Sequence, residues 1–210
     1  MIMDDDNEDI INEKCGEYID KFNYLYWVFS YGGCGTNYMR KVLKIIVKKK
    51  PQKDRLLIRS IHIFYPPKIN KSKFMGIFIY DDPCLCIHSI FRRKLHLVIN
   101  ILSGKEIYKD PKEVNLHQFV NDFDYDILRI ETIFNNWLNS KTSYSILFIN
   151  YSKLKNNINK INKEFNLNIS NKNIKSLRSR ARYEKIIKLE KIYENMNNKI
   201  NNLPDYFVKY

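Results

Sequence analysis

Four stretches of the chain read as strands, Tyr24–Ser30, Leu56–Phe64, Phe74–Tyr80 and Ser145–Tyr151, and Phe74–Tyr80 is almost wholly apolar. Continuous rather than alternating runs are the pattern of strands buried on both faces, as in a parallel sheet. The segments between them read as helices. Thr36 or Asn37 is placed to cap a helix to about Val47, with Met39, Val42, Leu43 and Ile46 on one face. Asp81-Asp-Pro83 breaks the third strand and opens another helix. Leu116–Leu138 carries a long helical pattern, residues 102–115 are irregular, and Lys153–Phe165 and Ile174–Ile200 are again helical. Strands alternating with helices predict an α/β fold: a parallel β-sheet flanked by helices on both faces. With no linker and no repeat, residues 1–210 are expected to form one domain. Residues 1–20 would be an acidic lead-in and 170–210 a charged helical C-terminal region.

Composition narrows the classes. A 210-residue chain that is 44% hydrophobic and 14% aromatic can build a real core and is not a disordered one. No apolar run reaches the ~18 residues of a membrane span. The acidic start Met-Ile-Met-Asp-Asp-Asp lacks the apolar centre of a signal peptide, so the expected location is cytoplasmic. The net charge of +13 favours polyanionic partners, small or large. Much of that charge follows from a general richness in Asn, Ile and Lys, so nucleic acid is not the favoured partner. Cys15, Cys34, Cys84 and Cys86, with His88, His96 and His117, have no metal-ligand spacing, and no metal is expected.

The first strand runs directly into Tyr31-Gly-Gly-Cys-Gly-Thr-Asn37, and a helix follows. Strand, glycine-rich turn and helix together aim backbone N–H groups and the positive end of the helix dipole at one point, which is an anion site. The Thr36 hydroxyl would add a donor. The ATP-type loop requires G-x-x-x-x-G-K-[ST]. No Lys follows Gly35, which counts against a nucleotide kinase.

On these residues the chain resembles the sulfotransferases, whose phosphosulfate loop typically reads Y-P-K-S-G-T-T-W. Tyr31, Gly35 and Thr36 match it, and Tyr38 stands for the Trp; Cys34 replaces Ser, Asn37 replaces Thr, and Gly33 replaces the Lys. The segment Tyr80–Phe91 resembles the family's 3′-phosphate segment, R-[DN]-P-x-[DE]-x-x-x-S-x-x-x-F. Asp82, Pro83 and Ser89 fit it, but Asp81 occupies the Arg position, leaving Arg92 and Arg93 as substitutes one turn on. Ile58-Arg-Ser-Ile-His62 resembles the family's K-[TS]-H strand. Either Ser60 replaces the Lys, or Arg59 is the Lys and His62 is one residue out of step. Ile146–Leu154 resembles the V-x-R-Y-E-[DE]-L strand, with Tyr151 and Leu154 kept and Asn150 and Ser152 in place of Arg and Glu. The closing R-K-G-x-x-G-D-W segment is not evident; Arg178, Arg180 and Arg182 stand in that region.

The resemblance implies a P-loop nucleotide-binding-like fold and transfer of a sulfuryl group from 3′-phosphoadenylyl sulfate to a hydroxyl or amine on a small-molecule or glycan acceptor. It implies donor contacts from Gly32, Gly33, Cys34, Gly35, Thr36, Asn37, Ser89, Arg92 and Arg93. His62 is the candidate base, because a neutral imidazole can take the acceptor's proton. The rival expectation is a protein that kept the fold, lost the transfer chemistry and binds nucleotide or nucleic acid. The changes at Gly33, Ser60 and Asp81 support it.

Overall fold

The computed structural model describes residues 6–43, 62–71, 73–94, 96–108, 114–169 and 185–210. Its centre is a four-stranded sheet in the order β1 (Tyr26–Ser30), β2 (Met75–Tyr80), β3 (Ser145–Asn150) and β4 (Tyr206–Lys209). The first three are mutually parallel, and β4 joins β3 antiparallel. The fold is therefore α/β with a mostly parallel open sheet.

Register puts one phenylalanine from each strand in a single row across the sheet: Phe29, Phe78, Phe148 and Phe207. Trp137 covers this row, with ring centroids 4.5 Å from Phe29 and 4.9 Å from Phe78. Val28, Ile77 and Leu147 point to the other face and are equally buried. Both faces of β1–β3 are thus covered, which is why these strands read as unbroken apolar runs.

The described helices are α1 (Asp6–Lys21), α2 (Thr36–Val42), α3 (Pro83–Arg92), α4 (His96–Ser103), α5 (Leu116–Asp122), α6 (Ile130–Asn139), α7 (Leu154–Phe165), α8 (Ile187–Ile192) and α9 (Glu194–Asn201). The Asp82 side chain caps α3 by accepting from the backbone N–H of Cys84 at 2.8 Å, and Pro83 sits at the first helical position, where its missing N–H costs nothing.

Three sequence expectations change. The acidic lead-in, expected as a frayed or short helix, is the 16-residue α1, which buries Cys15 and Ile19 and brings Gly16 against the Lys68 carbonyl. The single long helix over 116–138 is broken between α5 and α6. There Arg129 adopts a left-handed conformation (φ 53°), and the Asp126 carboxylate accepts the Glu131 N–H at 2.8 Å, a local side-chain bond that competes with helix continuation. The charged C-terminal region does not stay helical: after α9 and Pro204 the chain adds β4, whose Tyr-Phe-Val-Lys run favours extended structure. Most of the predicted strand over 56–64 lies outside the described residues; His62, Ile63 and Phe64 are described and belong to no strand. No described helix is long and apolar enough to cross a membrane.

Candidate functional site

Because β1, β2 and β3 are parallel, Ser30, Tyr80 and Asn150 end on the same edge of the sheet, where ligands bind in open α/β folds. The loop Tyr31–Gly35 leaves β1 there and enters α2 at Thr36. Its two larger side chains turn inward. The Tyr31 hydroxyl donates to the Asp81 carbonyl and accepts the Asp81 N–H at 2.8 Å. Cys34 Sγ lies 3.0 Å from the Gly32 carbonyl and 3.4 Å from that of Ile79. The loop itself is buried from Tyr31 to Cys34, and Gly35 is half-buried.

Glycine is required at two places. Gly33 has φ +70°, and a Cβ there would strike the backbone of Cys86 in α3. Gly35 has φ +84°, and a Cβ there would strike the Tyr151 ring. L-residues pay about 1–2 kcal/mol for such dihedrals even without a collision. With α3 packed against the loop, no side chain fits at position 33, where the sulfotransferase pattern has a lysine. This packing also brings the resembling segments together, since α3 carries Ser89 one turn beyond Cys86, and Tyr151 follows β3.

The polar heart of the edge is Ser30, which sequence reasoning did not single out. It is buried, and its Oγ lies 2.6 Å from Thr36 Oγ1 and accepts the Gly32 N–H at 3.1 Å. Its carbonyl accepts from His62 Nδ1 at 2.8 Å, and the same nitrogen is 3.5 Å from Ser30 Oγ. A carbonyl oxygen can only accept, so Nδ1 carries the proton and Nε2 holds the lone pair. Burial pulls the His62 pKa down to about 4; the Ser30 bond opposes this, while the cations Arg40 and Arg93 add to it. The imidazole is neutral at pH 7. Only the position of Ser30, just before the glycine-rich loop at a strand end, could have marked it in the sequence.

Neighbouring elements hold the His62 segment. Trp137 Nε1–H donates to the Ile63 carbonyl at 3.0 Å. The Arg129 guanidinium lies 3.6 Å over the Phe64 ring, is paired with Glu8 and donates to the Leu102 carbonyl at 3.1 Å.

The chain matches no protein-family model, no curated protein and no solved structure. The site therefore has to be judged on its own chemistry.

The predicted residues divide by position. Gly32, Thr36 and His62 meet at Ser30, while Gly33, Cys34 and Gly35 pack against Cys86, the Ile79 carbonyl and the Tyr151 ring. Asn37 is on the exposed side of the first turn of α2. Ser89 is buried within α3. Arg92 and Arg93 are exposed at the end of that helix; Arg93 folds back to donate from Nε to the Ser89 carbonyl at 3.2 Å and is near enough to depress the His62 pKa. Arg40 lies 5.6 Å over the Trp27 ring, toward the amino end of β1, and burial lowers its pKa. Arg59, Ser60, Arg178, Arg180 and Arg182 lie outside the described residues.

Asp81 is almost wholly buried. Its Oδ1 accepts from Ser152 Oγ at 2.6 Å and from the Asp82 N–H at 2.9 Å. Two departures from the sulfotransferase pattern, Asp81 and Ser152, are thus hydrogen-bonded partners joining the ends of β2 and β3. The Tyr38 and Tyr151 rings meet edge-on beside the loop, with centroids 6.3 Å apart.

Proposed function

We propose that this protein is a divergent sulfotransferase that holds 3′-phosphoadenylyl sulfate at the Gly32–Thr36 loop and uses His62 to deprotonate a hydroxyl or amine acceptor. The observation that carries the proposal is the His62 Nδ1–H···O=C bond to Ser30. It sets a neutral imidazole, with Nε2 as its accepting nitrogen, one hydrogen bond from the start of the loop.

The loop fits a phosphate. The Thr36 hydroxyl stands at the helix start, and Cys34 and Tyr31 are bonded elsewhere and do not compete for an anion at the loop. Position 81 does not fit one, because a buried carboxylate repels it. Arg40 and Arg93 are both close enough to act on His62, and Arg93 would take the second phosphate from the end of α3. When bound, the donor supplies an activated sulfuryl group whose sulfur–oxygen bond to the nucleotide breaks as the acceptor attacks. His62 Nε2 takes the acceptor's proton, and the bond of Nδ1 to Ser30 steadies the imidazolium that results. Thr36 and the loop amides hold the negative charge left on adenosine 3′,5′-bisphosphate. The remainder of the catalysis is orientation.

A second reading has its own support. Gly33 and Asp81, where the family carries cations, are both fixed here by packing and hydrogen bonds, which favours a protein that binds nucleotide without transferring sulfate. Calorimetry with adenosine 3′,5′-bisphosphate tests the shared binding site. Transfer of radiolabelled sulfate to a panel of hydroxyl and amine acceptors then separates the two. Binding without transfer to any acceptor would leave the second reading; absence of binding would remove both.

A further inference from the structure

We infer that Ser30 is a positioning residue that sets both halves of the site at once: its hydroxyl aims the Thr36 O–H at a loop-bound anion, and its carbonyl fixes the His62 tautomer. The inference deepens the proposed function and rests on that reading of the loop.

Ser30 Oγ already accepts the Gly32 N–H at 3.1 Å, and it has one hydrogen to give. Two groups lie within reach. One is His62 Nδ1 at 3.5 Å, but that nitrogen is itself a donor, committed to the Ser30 carbonyl at 2.8 Å. The other is Thr36 Oγ1 at 2.6 Å. The Ser30 hydrogen therefore goes to Thr36. That occupies a Thr36 lone pair and leaves the Thr36 O–H directed elsewhere, free to donate. The reverse polarity would leave the hydrogen of a buried serine without an acceptor among these partners, which is costly. The chain of donors thus runs from Gly32 N–H to Ser30, from Ser30 to Thr36, and from Thr36 outward to the anion. A hydroxyl that already accepts a hydrogen bond is also a stronger donor.

Ser30 ends β1 and is 1% exposed, so it does not itself touch a ligand at the loop surface. It acts through Thr36 and His62, and its two roles belong to different atoms. Side-chain substitution removes the first and leaves the second.

A double-mutant cycle read by adenosine 3′,5′-bisphosphate affinity tests this. Thr36→Ala should weaken binding by roughly 10- to 150-fold, the worth of a hydrogen bond to a charged group. Ser30→Ala should weaken it by roughly 3- to 10-fold, and Ser30→Thr, which keeps the hydroxyl, should restore it. The double variant Ser30→Ala/Thr36→Ala should bind as Thr36→Ala does, because Ser30 has nothing left to aim. Nitrogen NMR of His62 should show the same Nδ1–H tautomer in wild type and Ser30→Ala. If Ser30→Ala does not fold, Ser30→Cys enters the same cycle, with similar volume and a weak donor. Wild-type affinity in Ser30→Ala, or losses that add in full, would overturn the inference while the loop site stands. A wild type that does not bind the bisphosphate would overturn the loop site and the inference together.

Discussion

His62 donates from Nδ1 to the Ser30 carbonyl at 2.8 Å, so this imidazole is tied to the last residue of the strand that leads into the loop. The tie leaves Nε2 as the accepting nitrogen of the ring. His62→Ala should lower turnover by about 10²–10⁴-fold, the usual worth of acid–base catalysis. Bisphosphate affinity should stay within a few-fold of wild type. Parallel loss of binding and turnover in kinetic and calorimetric measurements would make His62 a structural residue instead.

The same histidine should report on ligand. Its pKa is held near 4 without an anion, by burial and by Arg40 and Arg93. Negative charge bound at the loop favours the imidazolium and should raise that value. By linkage, bisphosphate should then bind more tightly as pH falls from about 7 toward 5, with proton uptake on binding. Titration of the His62 ring by NMR, with and without the bisphosphate, checks the direction. A downward or absent shift would place the anion elsewhere.

In the unliganded protein, the depressed pKa also has a sign for stability. A histidine near 4 when folded and near its ordinary 6.5 when unfolded binds more protons unfolded. Its contribution is full above about pH 6.5 and is lost as pH falls toward 4. Chemical denaturation between these values should show wild type losing stability with acid more steeply than His62→Gln. Equal slopes would mean that the ring is hydrated and not perturbed.

The sheet was largely legible because burial on both faces leaves its own mark: β1, β2 and β3 are unbroken apolar runs within a residue or two of their predicted bounds. The glycine-rich loop was legible for a similar local reason. What escaped was set by contacts between distant segments. β4 is four residues long and exists by pairing with β3, which no local pattern announces. The break between α5 and α6 depends on Asp126, whose carboxylate also accepts from Tyr193 at 2.5 Å, far along the chain. Ser30 looked like any strand-end serine until Thr36 and His62 were seen on either side of it. Asp81 read as a damaged phosphate site; its bond to Ser152, 71 residues away, gives it a structural use.

If Asp81 were simply a lost arginine, Asp81→Arg should regain phosphate affinity. The structure argues otherwise. The Asp81 side chain is buried, takes the Ser152 hydroxyl at 2.6 Å and sits where its backbone carbonyl and N–H both bond Tyr31. Arginine is larger, carries a cation into that space and can accept nothing from Ser152. Burying a charge without its partner costs about 3–5 kcal/mol, a large part of a domain's total stability. Asp81→Arg should therefore unfold at much lower denaturant and show no gain in bisphosphate binding. Ser152→Ala, which removes one hydrogen bond to a carboxylate, should cost about 1.5–3 kcal/mol. Asp81→Asn, which can still accept from Ser152, should be the mildest of the three. Urea unfolding of the three variants gives the order directly. A folded Asp81→Arg protein with tighter bisphosphate binding would show that this edge of the sheet still accepts the phosphate contact, and that Asp81 is a replaceable relic of it.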